Sequence, residues 1–319
     1  MKAPDFWQRD GLVPALLAPA SCLFALGGAF RRWRTRPVKS SVPIICIGNL
    51  VAGGAGKTPV VLSLAARLQA SGRNPHILTR GYGGALVGPV RVDPASHDFR
   101  AVGDEPLLLA QAAPTWVSRD RPAGARAAVA AGADLILMDD GLQNPTLHQD
   151  FAAMVVDGGY GFGNGRVMPA GPLRESLASG IARVQLAIMI GADRTRATDA
   201  VRRLPVARAH LAAHDALAWR GRRVLAFAGI GRPAKFFETL EELGAIVVAR
   251  HGFADHHPYT ADEIDLLLTA ASAAGAMAVT TAKDHVRVPP ERRGSIASLA
   301  VDLVWDDAAA LDAWLEAVP

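Results

Sequence analysis

Four short stretches of this chain carry residues whose types and spacing suit the handling of a phosphate group. The first, Gly48-Asn49-Leu50-Val51-Ala52-Gly53-Gly54-Ala55-Gly56-Lys57-Thr58-Pro59, follows an apolar run over 42–47. It reads as strand, phosphate loop and helix start. The backbone of Gly53, Gly54, Ala55 and Gly56 can close its N–H groups around a polyphosphate, Lys57 can reach the β- and γ-phosphates, and the Thr58 hydroxyl can ligate Mg²⁺. The usual first glycine of G-x-x-x-x-G-K-[ST] falls on Val51, with the Gly53-Gly54 pair supplying flexibility nearby. The second stretch, Leu135-Ile136-Leu137-Met138-Asp139-Asp140, is a buried-strand pattern ending in two acids. Asp139 is placed to hold Mg²⁺ directly or through water, and Asp140 to share that task or to orient Gln143 in the following turn.

The third stretch, Gly103-Asp104-Glu105-Pro106, precedes an apolar helical run. Asp104 is a natural helix cap and Glu105 suits a first turn; the chemical alternative is that Asp104 takes a proton from an attacking hydroxyl. The fourth, Asp255-His256-His257-Pro258-Tyr259, gathers an acid, two imidazoles and a phenol. Its spacing matches no standard zinc set, and His210 to His214 lacks the glutamate of H-E-x-x-H, so proton handling is the competing use.

These residues need elements to hold them. Short apolar runs alternate with alanine-rich helical stretches at 42–47, 76–79, 115–118, 135–138 and 153–156, the rhythm of βαβ units and a parallel sheet. A further series at 186–190, 224–228, 246–249, 278–281 and 299–304 suggests another α/β sheet, with the boundary near Arg220. The expected fold is therefore α/β: a P-loop NTPase-type parallel-sheet domain over 40–220, then a smaller α/β domain over 221–319 that closes over the site. The glycine-rich segment 158–175 reads as a long functional loop.

Residues 1–39 form a separate arm. From Gly11 to Phe30 no residue is charged, and Arg31, Arg32, Arg34, Arg36 and Lys39 follow at once. We expect a helix lying in or dipping into a bilayer surface, with the basic run against anionic headgroups and Phe6, Trp7 and Trp33 at the interface. A cleaved signal, a full span and a buried core helix are the competing readings. The arm also holds the basic excess of a chain whose formal net charge is +4: its seven Lys/Arg face two Asp/Glu, while the remaining residues carry 27 against 28. A nucleic-acid partner is thereby excluded, since such a binder spreads basic residues over its folded body. Two cysteines, Cys22 and Cys46, neither in a C-x-x-C pair, fit a reducing compartment.

In order along the chain, Gly48-Asn49, the loop through Pro59, Thr79-Arg80-Gly81-Tyr82-Gly83, Gly103-Asp104-Glu105-Pro106, Asp139-Asp140-Gly141-Leu142-Gln143, Gly163-Asn164-Gly165, Pro169-Ala170-Gly171-Pro172-Leu173-Arg174-Glu175, Phe227-Ala228-Gly229-Ile230-Gly231, Phe253-Ala254-Asp255-His256 and Thr280-Thr281-Ala282-Lys283-Asp284 resemble the tetraacyldisaccharide 4'-kinases, the lipid A 4'-kinases of Gram-negative bacteria. The resemblance implies transfer of the γ-phosphate of ATP, with Mg²⁺, to the 4'-hydroxyl of a tetraacylated glucosamine disaccharide 1-phosphate at the cytoplasmic face of the inner membrane. It implies Asp104 as catalytic base assisted by His256, contact with inner-membrane lipids, and no obligate protein partner. Arg121 and Arg174 could then steer the substrate's 1-phosphate or, with Glu105 and Gln143, order charge around the transferred group. One departure is Asn144, where family members often have His. A GTPase switch is the rival from another class; it needs [NT]-K-x-D, and Thr281-Ala282-Lys283-Asp284 has its lysine one place late.

Overall fold

The computed structural model describes residues 4–319, so the first three residues of the arm lie outside it. Among the described residues thirteen strands are formed: β1 (Ile44–Gly48), β2 (Pro75–Thr79), β3 (Val90–Arg91), β4 (Thr115–Val117), β5 (Leu135–Asp139), β6 (Phe151–Asp157), β7 (Leu186–Ile190), β8 (Val206–Ala213), β9 (Arg223–Ala228), β10 (Ile246–Gly252), β11 (Met277–Thr281), β12 (Ala297–Leu299) and β13 (Val301–Asp307). Nine make one sheet in the order β13-β8-β7-β6-β1-β5-β2-β4-β3, and four make a second in the order β10-β9-β11-β12. The larger sheet is parallel except for its edges, where β3 and β13 run antiparallel to their neighbours. The smaller is parallel throughout.

A parallel strand covered on both faces should be apolar at every position. β1 is buried along its whole length: Ile44 and Cys46 pack into the core on one face of the large sheet, and Ile45 and Ile47 into the core on the other. The helix Lys57–Ala70 seals the second face with Val60, Val61, Leu64 and Leu68. Clamping β1 between β5 and β6 sets the phosphate loop beside the end of β5.

The chain departs from the expected organisation in three places. The strand at 186–190 joins the larger sheet between β6 and β8. The apolar run 299–304 is two strands in two sheets, β12 ending at Leu299 and β13 beginning at Val301. The tail therefore does not stay with the smaller domain: Leu303 and Trp305 of β13, and Leu311, Trp314 and Val318 around the helix Ala309–Glu316, pack into the larger domain's core. These side chains leave the smaller sheet because the open edge of β8 offers them an apolar face, while Asp302 and Asp306 turn outward to His214 and His210.

The arm is one continuous helix, Leu12–Arg34, despite Pro19 in its interior. It is long and apolar enough to cross a membrane, and only 11% of its most apolar window is buried, which disposes of the core-helix reading. Leu12, Leu16, Leu23, Leu26, Phe30 and Trp33 face outward. The glycine-rich segment holds its other side: the Ala170 N–H donates to Ser21 Oγ (3.0 Å), and Trp7 Nε1 donates to the Pro169 carbonyl (3.1 Å). Trp7 is thus turned to the protein and not to an interface. Gly163, at φ +59, passes so close to Trp7 that an added Cβ would lie 2.5 Å from its carbonyl oxygen.

Candidate functional site

The phosphate loop is shaped from within. Gly56 takes a left-handed φ of 81° directly before the helix Lys57–Ala70, and a Cβ there would meet Ile190 at 2.7 Å. Asn49, 1% exposed, donates from Nδ2 to the Val51 carbonyl (2.8 Å) and accepts from Lys57 Nζ at Oδ1 (3.2 Å). Asn49 thus ties the loop backbone to Lys57; an amide at the end of an apolar strand is its signal in the sequence. Thr58 is the second residue of the helix, so Gly53, Gly54, Ala55, Gly56, Lys57 and Thr58 lie together at the C-terminal end of β1.

Asp139 and Asp140 sit beside that loop with different surroundings. Asp139 is 1% exposed; its Oδ2 accepts a long bond from the Thr79 hydroxyl (3.5 Å), and its Oδ1 is buried with no partner. Burial foremost, then the charge of Glu105, pushes its carboxyl up to about 7, against the opposing pull of Lys57 and Arg121. An orphaned, destabilised carboxylate oxygen next to Lys57 is what a divalent cation would satisfy, so the donor set fits Mg²⁺. Asp140 already has partners: Lys57 Nζ at 3.6 Å and Arg174 Nη1 at 2.8 Å, both on Oδ1. Burial alone would raise its carboxyl, but those two cations hold it below the usual range. Its left-handed φ of 50° is a strained choice for a non-glycine residue at this position.

Gln143 and Arg174 extend this cluster toward the arm. Gln143 Nε2 donates to the Asn49 carbonyl (3.1 Å) and to Glu175 (3.0 Å), while its Oε1 accepts from Arg174 (3.3 Å). Glu175, 3% exposed, also takes Arg183 at 2.6 Å and Arg32 of the arm at 3.4 Å. Arg31 donates to the Gln143 carbonyl at 2.7 Å. Two cations of the basic run thus dock the arm onto the site instead of facing outward. Asn144 closes a local turn by accepting from the Thr146 N–H (2.9 Å) and hydroxyl (2.7 Å).

Arg121 is placed otherwise than expected. It is 2% exposed and donates to the carbonyls of Ser118 (2.9 Å) and Asp139 (3.5 Å) at the ends of β4 and β5, so its guanidinium is spent on the backbone and not presented to a substrate phosphate. Its contribution from there is to the charge on Asp139.

Across the cleft, the C-terminal ends of the smaller sheet's strands face those of the larger. Asp104 opens the helix Asp104–Leu109 and is 4% exposed; its Oδ1 accepts the Glu105 N–H at 2.9 Å. Its Oδ2 lies 2.9 Å from His256 Nδ1. Burial would raise the Asp104 carboxyl, but the His256 hydrogen bond and the charges of Lys283, His256 and Arg287 together hold it below the ordinary carboxylate range. Glu105 pairs with Lys283 at 3.0 Å, and Asp157 at the end of β6 pairs with Arg232. Lys283 is therefore engaged at the domain contact and Asp284 inside the smaller domain, by Gly229, Tyr259, Thr281 and Arg287, so neither is free to read a guanine. Tyr82 sets its ring 5.5 Å from that of His256, and Arg287 lies 3.4 Å from Asp104 Oδ2. Neither has a task in the sequence reading. Tyr82 lies between the two glycines of the Thr79–Gly83 motif, and Arg287 lies three residues past the Thr280–Asp284 motif, where no local pattern marks it.

A phosphate loop with an adjacent orphaned carboxylate, facing a buried aspartate paired with a half-buried histidine across two α/β domains, defines a P-loop phosphotransferase. The family model of LpxK, tetraacyldisaccharide-1-P 4'-kinase, matches residues 13–319, and the chain belongs to this family. A tetraacyldisaccharide 4'-kinase of Rhodospirillum centenum is 55% identical over 98% of this chain and 95% of its own length. One of Gluconacetobacter diazotrophicus is 54% identical over 99% of each. The structure of an "apo" form LpxK from Aquifex aeolicus in complex with ATP shares the fold, with a TM-score of 0.78 at 24% identity over 96% of this chain and 99% of that one.

Proposed function

We propose that this chain transfers the γ-phosphate of ATP to the 4'-hydroxyl of a tetraacylated glucosamine disaccharide 1-phosphate, working at the cytoplasmic face of the bacterial inner membrane. The observation that carries the reading is the meeting of the Asp104–His256 pair from two domains in the cleft that also holds Lys57 and Asp139. Phosphoryl transfer asks mainly for positioning and for neutralisation of charge. Lys57 and the loop N–H groups would hold the triphosphate. Thr58 and Asp139, with Asp140 beside them, would hold Mg²⁺, which when bound offsets the negative charge of the phosphate oxygens. As the acceptor oxygen bonds to the γ-phosphorus and the bond to the β–γ bridging oxygen breaks, the hydroxyl proton passes to Asp104 and the bridging electron pair leaves with ADP. His256 fixes the carboxylate and shares its charge.

The exposed apolar face of the arm supports membrane contact: a four-chain lipid stays in the bilayer, so the enzyme must come to it. The test is to incubate the purified protein with γ-labelled ATP, Mg²⁺ and a lipid A precursor, with soluble sugars as controls. Label at the 4'-position of the lipid is expected, and its absence there would overturn the reading.

A further inference from the structure

Among the described residues Arg287 is the largest side chain to be fully buried, at 1% exposure, and a guanidinium so placed must spend its donors inside the protein. Nη2 donates to the Gly229 carbonyl (2.9 Å) and to Asp284 (2.5 Å), Nη1 to the His257 carbonyl (3.4 Å), and Nε to the Lys283 carbonyl (3.4 Å). Asp284, wholly buried, accepts in turn from the Gly229 N–H (2.8 Å), the Tyr259 hydroxyl (2.9 Å) and the Thr281 hydroxyl (2.6 Å). The pair thus ties together the segments that leave β9, β10 and β11. Those contacts alone would make it a strut of the smaller domain. One more contact leaves that domain: Nε lies 3.4 Å from Oδ2 of Asp104, the oxygen that His256 also engages.

We propose that Arg287 is a positioning residue for phosphoryl transfer, carried by the smaller domain, which keeps the buried Asp104 ionised and leaves its Oδ1 as the oxygen that takes the acceptor's proton. This rests on the reading of Asp104 as the base. Oδ2 is occupied by His256 and Arg287, whereas Oδ1 accepts a single N–H, from Glu105, and keeps a lone pair. The proton of the hydroxyl goes to that lone pair while its oxygen bonds to phosphorus and ADP departs.

The charges facing Asp104 are few. From the smaller domain come His256, with Asp255 behind it at 3.8 Å; Lys283, committed to Glu105; and Arg287, with Asp284 behind it. From its own helix comes Glu105, whose charge opposes ionisation, and the uncharged Tyr82 ring lies against His256. Burial pushes the Asp104 carboxyl up and these cations bring it below its ordinary range. Removing the Arg287 charge, which acts beside the larger effects of His256 and Lys283, should return part of that shift and move the carboxyl upward.

Arg287→Met alone would strand the Asp284 charge, so the comparison is made in the full-length protein between Asp284→Asn and the double variants D284N/R287M and D284N/R287Q, with Arg287→Lys as the conservative rescue. Two double variants are used so that a folding failure of one leaves the other to decide. The readout is kcat against pH at saturating ATP and lipid, whose acid limb reports the base in the bound complex. In the double variants the acid limb should rise relative to D284N, with the KM for ATP within about twofold. In Arg287→Lys it should stay within about 0.3 unit of the wild type, since the charge is kept. A strut would lower kcat and melting temperature at every pH and leave the limb in place; coincident limbs in D284N and the double variants would overturn the proposal. A wild-type protein that fails to label the lipid would sink the functional reading itself, whereas an active wild type with an unmoved limb sinks only this inference.

Discussion

His256 Nδ1 lies 2.9 Å from Asp104 Oδ2, joining residues 152 apart in the chain across two domains. Each partner is fixed on its own side. Asp104 is tied at the head of its helix by the Glu105 N–H, and His256 adopts a left-handed φ of 60° while donating its own N–H to the Gly229 carbonyl at 3.0 Å. A histidine held in that sparsely populated conformation marks a position where neighbouring contacts override local preference. The pair exists only while the smaller domain is seated on the larger one.

Replacing Asp104 by Ala or Asn should lower kcat by about 10³-fold or more, the upper range for loss of a general base. The affinity for ATP should stay within a few-fold, because Lys57 and the phosphate loop are untouched. Isothermal titration with ATP and turnover of the lipid measure the two separately, and unchanged turnover would remove Asp104 from the reaction.

His256→Gln should be milder, with kcat down by about 10- to 100-fold. The amide can still donate to Oδ2, and Arg287 remains beside the same oxygen. A loss as large as that of Asp104→Ala would mean that the imidazole itself takes the proton.

The parts of the site that were legible in the sequence are those whose chemistry is written in neighbouring residues. A phosphate cradle needs glycines, a lysine and a hydroxyl within one turn, so residues 53–58 declare themselves, and so do two acids at the end of an apolar strand. Asp104 and His256 could be paired only through their resemblance to a family, since nothing local to either names the other. Burial is the missing variable elsewhere: Arg121 has the residue type of a phosphate clamp, yet its 2% exposure commits it to backbone carbonyls at the ends of β4 and β5. The run 299–304 has the same defect for the fold. Six residues give no mark of the point, between Leu299 and Val301, where the chain passes from one sheet to the other.

Asp139→Asn should stabilise the protein in the absence of metal and nucleotide while abolishing turnover. An acid whose folded pKa of about 7 stands above its unfolded value binds a proton in the native state that the unfolded chain has released. Stability is therefore lost as pH rises from about 4 through 7, and the asparagine variant escapes that loss. At pH 8 without Mg²⁺ the variant should gain on the order of 1–3 kcal/mol in denaturant melts. Mg²⁺ with ATP should then raise the wild type's melting temperature more than the variant's. Equal stabilisation of both would remove Asp139 from the cation's ligands.

The outward face of the arm makes a separate prediction. Leu16, Leu23 and Leu26 are 79%, 72% and 65% exposed, so changing all three to Ser removes no internal contact. Melting temperature should hold. Burying one leucine contributes about 1.5–3 kcal/mol, so partition onto phospholipid vesicles should weaken by at least about 100-fold. Flotation of wild type and triple variant decides it; unchanged flotation would mean that another surface docks on the bilayer.

The last helix tests where the chain's tail belongs. Trp314 is 8% exposed, meets Phe151 of β6 edge-on at 6.1 Å, and lies in the larger domain's core with Leu311 and Val318. Arg67 of the helix behind the phosphate loop pairs with Asp312 at 2.8 Å, and Trp305 Nε1 donates to Ser63 Oγ at 2.9 Å. Trp314→Ala should therefore cost about 3–5 kcal/mol, the range for emptying an aromatic site in a core. Trp314→Phe should cost far less, because the indole N–H it deletes is buried without a partner. Native-state hydrogen exchange locates the damage: in the alanine variant, protection should fall in β6, β7 and β8 and persist in β9, β10 and β11. The opposite distribution would return the tail to the smaller domain.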